Sequence, residues 1–594
     1  MRVIVWCANK LGFDVFSKAI LFTSGLIFTH SLVEVALFSI LITYLTSEWE
    51  NHNLPKAAIV VNLHEGTYAV LQIAFAFLAD AYTGLFKMVV WSTIFYIIGL
   101  GLFGVEYYGP LVLVTFSQAA IVATLKPFLD DQLLASAHQP ITQEEEERAN
   151  RRSDVCRDYV SMLGAIVAGF GLSHIHSFMT LAVVSAFAMG AALVWFLSGT
   201  KSYSRSKPTG SPLSDVAHVI YTAAVTKRKV EYPQTPDQLF QNSSSLVQIS
   251  PHVSWLRWLD RAAVLVPQDQ EEEPDNNNNT CTVEQVKGVK FLLKMLPMWS
   301  TFLTFSLVSA TGSTFFLEEA ARIDEGFSVI IFIVLQRFTK LVVTEICDRF
   351  LEKFGEKMNI EQKVMLVRIC LGMICCVACC IAAWINAHHW IHLVKTHTKP
   401  EERHMSVFRL TPQYILLGVM EGFSADGLEN FFDSQVSKST ARYGPMFGEC
   451  VQGIGKFLSA VCILILTIRF GWFKDEIDSS RLDKYYAMLA ILSSVNMIIY
   501  CFIAHWYGDE RFLEEDGDDQ VDVEMGNSAQ ADNSLPLLNL NTGRETENRK
   551  RDDDDNETEI PVHDVSSNAP LLSGARSFSR PSSNGIHKRF YSMR

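Results

Sequence analysis

The sequence predicts an all-α membrane protein of twelve transmembrane helices in two six-helix bundles. Two observations carry this. Six apolar runs precede the polar segment Ser198–Lys287 and six follow it, most of them about 20 residues long, the length a helix needs to cross a bilayer. Hydrophobic residues make up 49% of the 594 residues and charged residues 19%, a balance suited to membrane helices joined by soluble segments. The resulting organisation is an N-terminal segment (1–15), a first bundle (16–197), a hydrophilic linker (198–287), a second bundle (288–507) and an acidic tail (508–594).

In the first half the predicted spans are Phe16–Thr46, Ala57–Ala79, Met88–Gly104, Leu111–Thr124, Tyr159–Leu172 and Phe178–Leu197. The first is long enough to be tilted or to protrude. The fourth is followed by Lys126 and the helix-breaking Pro127, and a polar stretch from Glu144 to Arg157 leads into the fifth. In the second half the spans are Phe291–Ala310, Phe327–Ile346, Val364–Trp384, Val407–Leu428, Val451–Ile468 and Tyr485–His505. Lys126, Arg148, Arg151, Arg152 and Arg157 follow span four, and spans two, six and eight are also followed by Lys or Arg. The loops after spans one and three, SEWENHNLP and VEYYGP, have none. The positive-inside rule then places the N-terminus, the linker and the C-terminus in the cytosol, although two loops of the second half, HHWIHLVKTHTKPEERH and RFGWFKDEIDSSRLDK, break the bias.

The formal net charge of −14 is concentrated at one end: from Asp509 to Arg594 there are 19 acidic and 10 basic residues. A segment of this composition buries too little apolar surface to fold alone. It contains two Pro-Leu-Leu clusters resembling sorting signals read by an adaptor, at Pro536 and Pro570, and Ser579 and Ser583 at a spacing from Arg that basophilic kinases accept. No basic stripe with interleaved aromatics supports nucleic-acid binding. The Cys-rich run around Cys370, Cys375, Cys376, Cys379 and Cys380 lacks His or acidic partners, so it reads as helix packing rather than as a metal or redox centre. No cleavable signal peptide and no cofactor motif are read from the sequence, and GxxxxGK[ST], HExxH and GxSxG are absent, which argues against an enzyme and against ATP-driven pumping.

Ionisable side chains inside spans are costly in lipid and therefore mark candidate sites. Lys126 at the end of span four and Glu421 in the middle of span ten are the candidates for binding solute or for pairing with each other. The alternative for Lys126 is snorkelling to the interface. His30 and Glu34, four residues apart on one face of span one, form a candidate proton relay or simply satisfy one another. Asp80, Gly84 and Lys87 form a compact turn that reads as a cytosolic latch.

Five stretches resemble one known family: FLADAYTG at 77–84, SGTKSYSRSKPTGSPLSDVAHV at 198–219, LRWLDRAAV at 256–264, CTVEQVKGVKFLLKMLPMW at 281–299 and MSVFRLTPQYILLGVMEGFSADGLENFFDSQ at 405–435. The chain is similar over residues 16–507 to the plant nitrate/peptide transporters, the proton-coupled oligopeptide branch of the major facilitator superfamily. The resemblance implies a central solute site between the halves, alternating access, and proton-driven uptake of nitrate, peptides or amino-acid-derived organic solutes. It carries Lys126 and Glu421 over as family positions. It also exposes departures. The ExxER motif of span one falls on Ile27–Ser31, where both glutamates and the arginine are missing, and the family's span-four pattern is shortened to ATLKPFLDDQLL. The span-seven position where nitrate carriers can have His is Ser309. These departures leave three readings: a transporter with altered proton coupling, a proton-independent facilitator or exporter, and a non-transporting sensor on the transporter fold. The expected membrane is the plasma membrane or a vacuolar or other endomembrane.

Overall fold

The computed structural model describes residues 18–49, 53–103, 108–135, 143–172, 174–175, 177–205, 210, 212–226, 254–263, 281–324, 326–358, 361–396, 405–435 and 443–531. Twelve long helices stand among them: α1 Lys18–Phe38, α2 Leu54–Leu78, α3 Leu85–Leu102, α4 Tyr108–Ala135, α5 Gln143–Val167, α6 Phe178–Ser198, α7 Leu296–Gly312, α8 Ile330–Met358, α9 Glu361–Thr396, α10 Thr411–Gln435, α11 Gly444–Ile465 and α12 Leu482–Ala531. The described residues up to Asp519 form one compact unit. The tail beyond Ala531, with Ser579, Ser583 and both Pro-Leu-Leu clusters, lies outside the described residues.

Nine helical segments among the described residues are long and apolar enough to cross a membrane, including those containing α1, α3 to α7, α9, α11 and α12. The three that fall short are α2, α8 and α10. Their polar content is concentrated where they face other helices. Asn62, His64 and Gln72 of α2 are buried, as are Gln413 and Ser424 of α10, and α8 carries Gln336, Arg337 and Lys340 toward the interior. The lipid face is correspondingly apolar: Phe187, Val194, Ile468, Ile491 and Phe502 are among the most exposed side chains.

In the first half α1 packs on α5 and α6, α2 on α4, and α3 on α4 and α6. The Ser31 hydroxyl donates to the Ser161 carbonyl at 2.7 Å, tying α1 to α5. In the second half α7 packs on α11, and α10 on both α8 and α9. Tyr500 of α12 donates to the Leu366 carbonyl of α9 at 2.7 Å, and Asn496 to the Thr301 carbonyl of α7 at 2.9 Å. With no water in the hydrocarbon, such groups must be satisfied between helices.

The halves meet most closely where α2 crosses α11. Gly66 and Gly453 face each other there. A Cβ on Gly453 would lie 2.8 Å from the Gly66 carbonyl oxygen and 2.8 Å from the Ala69 Cβ, so only a residue without a side chain permits this approach.

Several expectations are revised. Pro127 lies inside α4, which runs on to Ala135: a proline removes one backbone hydrogen bond but need not end a membrane helix whose neighbours hold it. The polar approach to span five is helical from Gln143, and the His-rich stretch after span nine continues α9 to Thr396. The last helix continues beyond the expected tail boundary to Ala531. The linker is not wholly hydrophilic. Its helices Pro212–Thr226 and Val283–Lys294 and the 3₁₀ segment Ser254–Ala263 bury Val219, Leu256, Leu259 and Val286 in a small core. Its first residues are held by two 2.9 Å hydrogen bonds between Gln132 and the Ser204 backbone, and by Arg205 over the Phe86 ring at 4.4 Å.

The glycine crossing gives a direct prediction. Gly453→Val forces α2 and α11 apart and lowers the melting temperature of the detergent-purified protein by several degrees, whereas Gly448→Ala, at a position with nothing within 4 Å of the added Cβ, leaves it unchanged. Equal melting of both variants and the wild type would contradict the crossing.

Candidate functional site

Between the two halves lies a cavity of about 430 Å³, lined by α1, α2 and α5 of the first half and by α7, α8, α10 and α11 of the second. Its lining includes five carboxylates, Glu34, Glu65, Asp158, Glu421 and Glu449, and four cations, Arg157, Arg337, Lys340 and Lys456. That many charges at membrane depth are tolerable only against one another or against solvent.

Around the cavity, two ion pairs among the described residues cross from half to half. Glu34 of α1 meets Arg337 of α8 at 3.0 Å, and Arg337 also reaches the Ser31 hydroxyl at 3.5 Å. Glu65 of α2 meets Lys456 of α11 at 3.0 Å and accepts from the Ser313 hydroxyl at 3.0 Å. Close helix packing sets the positions of these groups. The α2–α11 glycine crossing brings Glu65 beside Lys456. On α10, Gly418 lies against the Gln336 carbonyl, and a Cβ on Gly422 would come within 2.8 Å of the Lys340 carbonyl. Glu421 is therefore pressed toward α8, where both carboxylate oxygens accept from the Gln336 amide at 3.1 Å and one also accepts from the Ser309 hydroxyl at 3.1 Å.

The residues singled out from the sequence are distributed unevenly over this geometry. Glu421 and Glu34 line the cavity. Ser309, the span-seven position flagged by the resemblance, is a direct partner of Glu421. His30 is buried at 6% exposure, is not among the lining residues, packs against the Tyr96 ring with centroids 5.8 Å apart, and makes no hydrogen bond to Glu34. Lys126 is outside the lining as well. It pairs with Asp154 of α5 at 2.8 Å and with Glu429 of α10 at 3.5 Å, so its cross-half partner is Glu429, two turns beyond Glu421. Arg157 continues this network to Asp158 at 3.0 Å. Asp80 accepts a 2.5 Å hydrogen bond from Tyr443, at the start of α11, in a small cluster with Ala76, Ala123 and Met446. Gly84, at φ 78°, caps the start of α3, and Lys87 is in that helix's first turn.

Sequence reasoning missed Glu65, Arg337, Lys340, Glu449 and Lys456. Each lies within or beside an apolar run, the signal that selected Glu34 and Glu421. Among the described residues no group of three or more His, Cys, Asp or Glu is placed to hold a metal ion.

Comparison with known proteins agrees with this architecture. The family profile described as PTR2, POT family, matches residues 160–471. The Arabidopsis thaliana protein NRT1/PTR FAMILY 5.5 is 27% identical over 495 residues, covering 79% of this chain and 93% of its own. NRT1/PTR FAMILY 4.4 of the same plant is 27% identical over 540 residues, covering 83% and 88%. Among solved structures, an auto inhibited POT family peptide transporter superposes with a TM-score of 0.61 at 13% identity, over 82% of this chain and 96% of that one. The POT family transporter PepTSo gives 0.61 at 14%, over 83% and 99%. At these identities the structures establish the fold, that of a major-facilitator transporter. The chain therefore belongs to the POT family, and is a multi-pass membrane transporter of the kind found among the plant NRT1/PTR proteins.

Proposed function

We propose that the protein carries a small organic solute bearing both an amine and an acid group, by alternating access at the cavity between its halves. The observation that carries this reading is the pair of cross-half ion pairs, Glu34–Arg337 and Glu65–Lys456, lining one cavity of about 430 Å³. That volume suits an amino-acid-derived solute or short peptide. A zwitterion offers each pole of the lining an opposite charge. A lone anion such as nitrate faces a lining with one carboxylate more than it has cations. POT family neighbours are described in complex with 5-aminolevulinic acid and with a thioalcohol conjugated peptide, both consistent with such a solute.

In this reading Glu421 receives the amine, and Arg337, Lys340 and Lys456 receive the acid. Two unit charges about 4 Å apart at an effective dielectric of about 20 attract by roughly 4 kcal/mol before desolvation is counted. A solute that takes over one partner of a cross-half pair therefore acts on the scale of a conformational equilibrium. Lys126, tied to Asp154 and Glu429, acts as a closure between α4, α5 and α10 rather than as a solute ligand. The loop charges support a cytosolic linker face. Proton-independent passage is the second reading, favoured by the ion pairs that already hold Glu34 and Glu65.

The carrying role is tested in proteoliposomes containing the full chain, with nitrate, alanyl-alanine and 5-aminolevulinic acid as probes at acidic and neutral pH. Uptake of a zwitterionic probe, reduced at least about tenfold by Glu421→Gln, is expected on the loss of a charged contact of 2 kcal/mol or so. Nitrate uptake without zwitterion uptake, or full activity in Glu421→Gln, overturns the assignment. The cross-half pair has its own test. Glu34→Arg and Arg337→Glu each abolish uptake, and the double reversal restores part of it; no recovery in a correctly folded double variant would show that the pair has no role in the cycle.

A further inference from the structure

A second buried carboxyl lies outside the cavity. The short helix Phe315–Ile323, which follows α7, carries Glu319, only 5% exposed and absent from the cavity lining. Groups from α10 and α12 converge on it. The Gln413 side chain and the Tyr486 hydroxyl face its carboxyl, and Tyr414 stands close by. All three are fully or almost fully buried. Asn386 of α9 donates to the Gln413 side-chain oxygen at 3.1 Å, which fixes the amide so that its nitrogen is the end left for Glu319. The Gln413 nitrogen, both phenol oxygens and one Glu319 oxygen have no hydrogen-bond partner of standard geometry. A void of about 10 Å³, the scale of a single water, is lined by Glu319, Asn386, Trp390 and Met405.

Among the described residues no cation faces this carboxyl. Arg322, one turn along the same helix, is turned to Asp478 at 3.2 Å, and Trp390 donates to the same Asp478 at 3.1 Å. Arg409 is with His389 at 3.1 Å on the exposed surface. Glu318 faces Thr43 in the first half. What surrounds Glu319 is therefore two phenols and two amides, all neutral. A buried carboxylate without a cation is strongly disfavoured; such a group takes up a small cation or becomes neutral by binding a proton.

We propose that Glu319 is a proton-binding site, its carboxyl exchanging one proton inside a cage of Gln413, Tyr414 and Tyr486. The helix that carries it packs against Leu41–Tyr44 of the first half, so gain or loss of that proton acts on a contact between the halves, away from the solute cavity. A neutral carboxylic acid donates one hydrogen bond and accepts others, and matches the cage. The ionised form can only accept, and draws the two phenols and the Gln413 nitrogen inward as donors. The site itself does not depend on which solute is carried; only its consequence for transport rests on the reading above.

The test uses the purified full chain without solute. Infrared difference spectra between acidic and alkaline pH are recorded for the wild type, Glu319→Gln and Tyr486→Phe. The wild type is expected to show a carboxylic-acid carbonyl band that is lost in Glu319→Gln and shifted in Tyr486→Phe, with the pH dependence of the melting temperature flattened in Glu319→Gln. Glu319→Gln keeps the shape and neutrality of the protonated acid, so it is the variant expected to fold. A band retained in Glu319→Gln overturns the proposal, as does a melting temperature that responds to sodium against choline but not to pH.

Discussion

Charge carried to membrane depth must be compensated there, and this requirement governs the molecule. Glu34 and Glu65 in one half meet Arg337 and Lys456 in the other. Neither half can present these groups to lipid alone. The two six-helix bundles are therefore joined electrostatically around a polar cavity, while their outer surfaces remain apolar. The helices that pay for this in hydropathy, α2, α8 and α10, are the ones that supply Glu65, Arg337, Lys340 and Glu421. Their failure to qualify as spans by composition follows from their role as cavity walls.

Packing turns that requirement into a specific geometry. Gly66 against Gly453 lets α2 and α11 approach until Glu65 and Lys456 pair, and Gly418 and Gly422 press α10 onto the backbone of α8 until Glu421 meets Gln336. Toward the linker side, Lys126 binds Asp154 and Glu429, and Tyr443 caps Asp80. The cross-half contacts thus fall in two groups, a charged set around the cavity and a second set beside the linker. Alternating access requires separate sets that can open in turn.

Much of the fold was legible in the sequence, because apolar run length is a local signal. The candidate site was legible only in part. Glu421 and Glu34 were found as charges inside apolar runs, and both line the cavity. Lys126 was found by the same rule together with the family resemblance, but its partner depends on where α4, α5 and α10 converge, and helix register does not reveal that. The structure gives Glu429, not Glu421. Glu65, Arg337, Lys340, Glu449 and Lys456 carry the same signal as Glu34, a charge within or beside an apolar run, and were passed over. His30 and Glu34 share a helical face, yet the 3.0 Å contact with Arg337 turns Glu34 to the opposite half, and His30 faces Tyr96 instead. The linker's small core was not read from the sequence: the amphipathic spacing in SPLSDVAHVIYTAA is a weak pattern beside so many stronger apolar runs.

The most direct test of the central claim, that cross-half ion pairs hold the two bundles in register around the cavity, is a distance measurement between the bundles. Spin labels placed on exposed positions of α3 and α9 in nanodiscs report the separation of the halves by pulsed electron resonance. With Glu34→Gln and Glu65→Gln combined, the distance distribution is predicted to broaden and shift toward a more separated population. An unchanged distribution in the folded double variant would contradict the account.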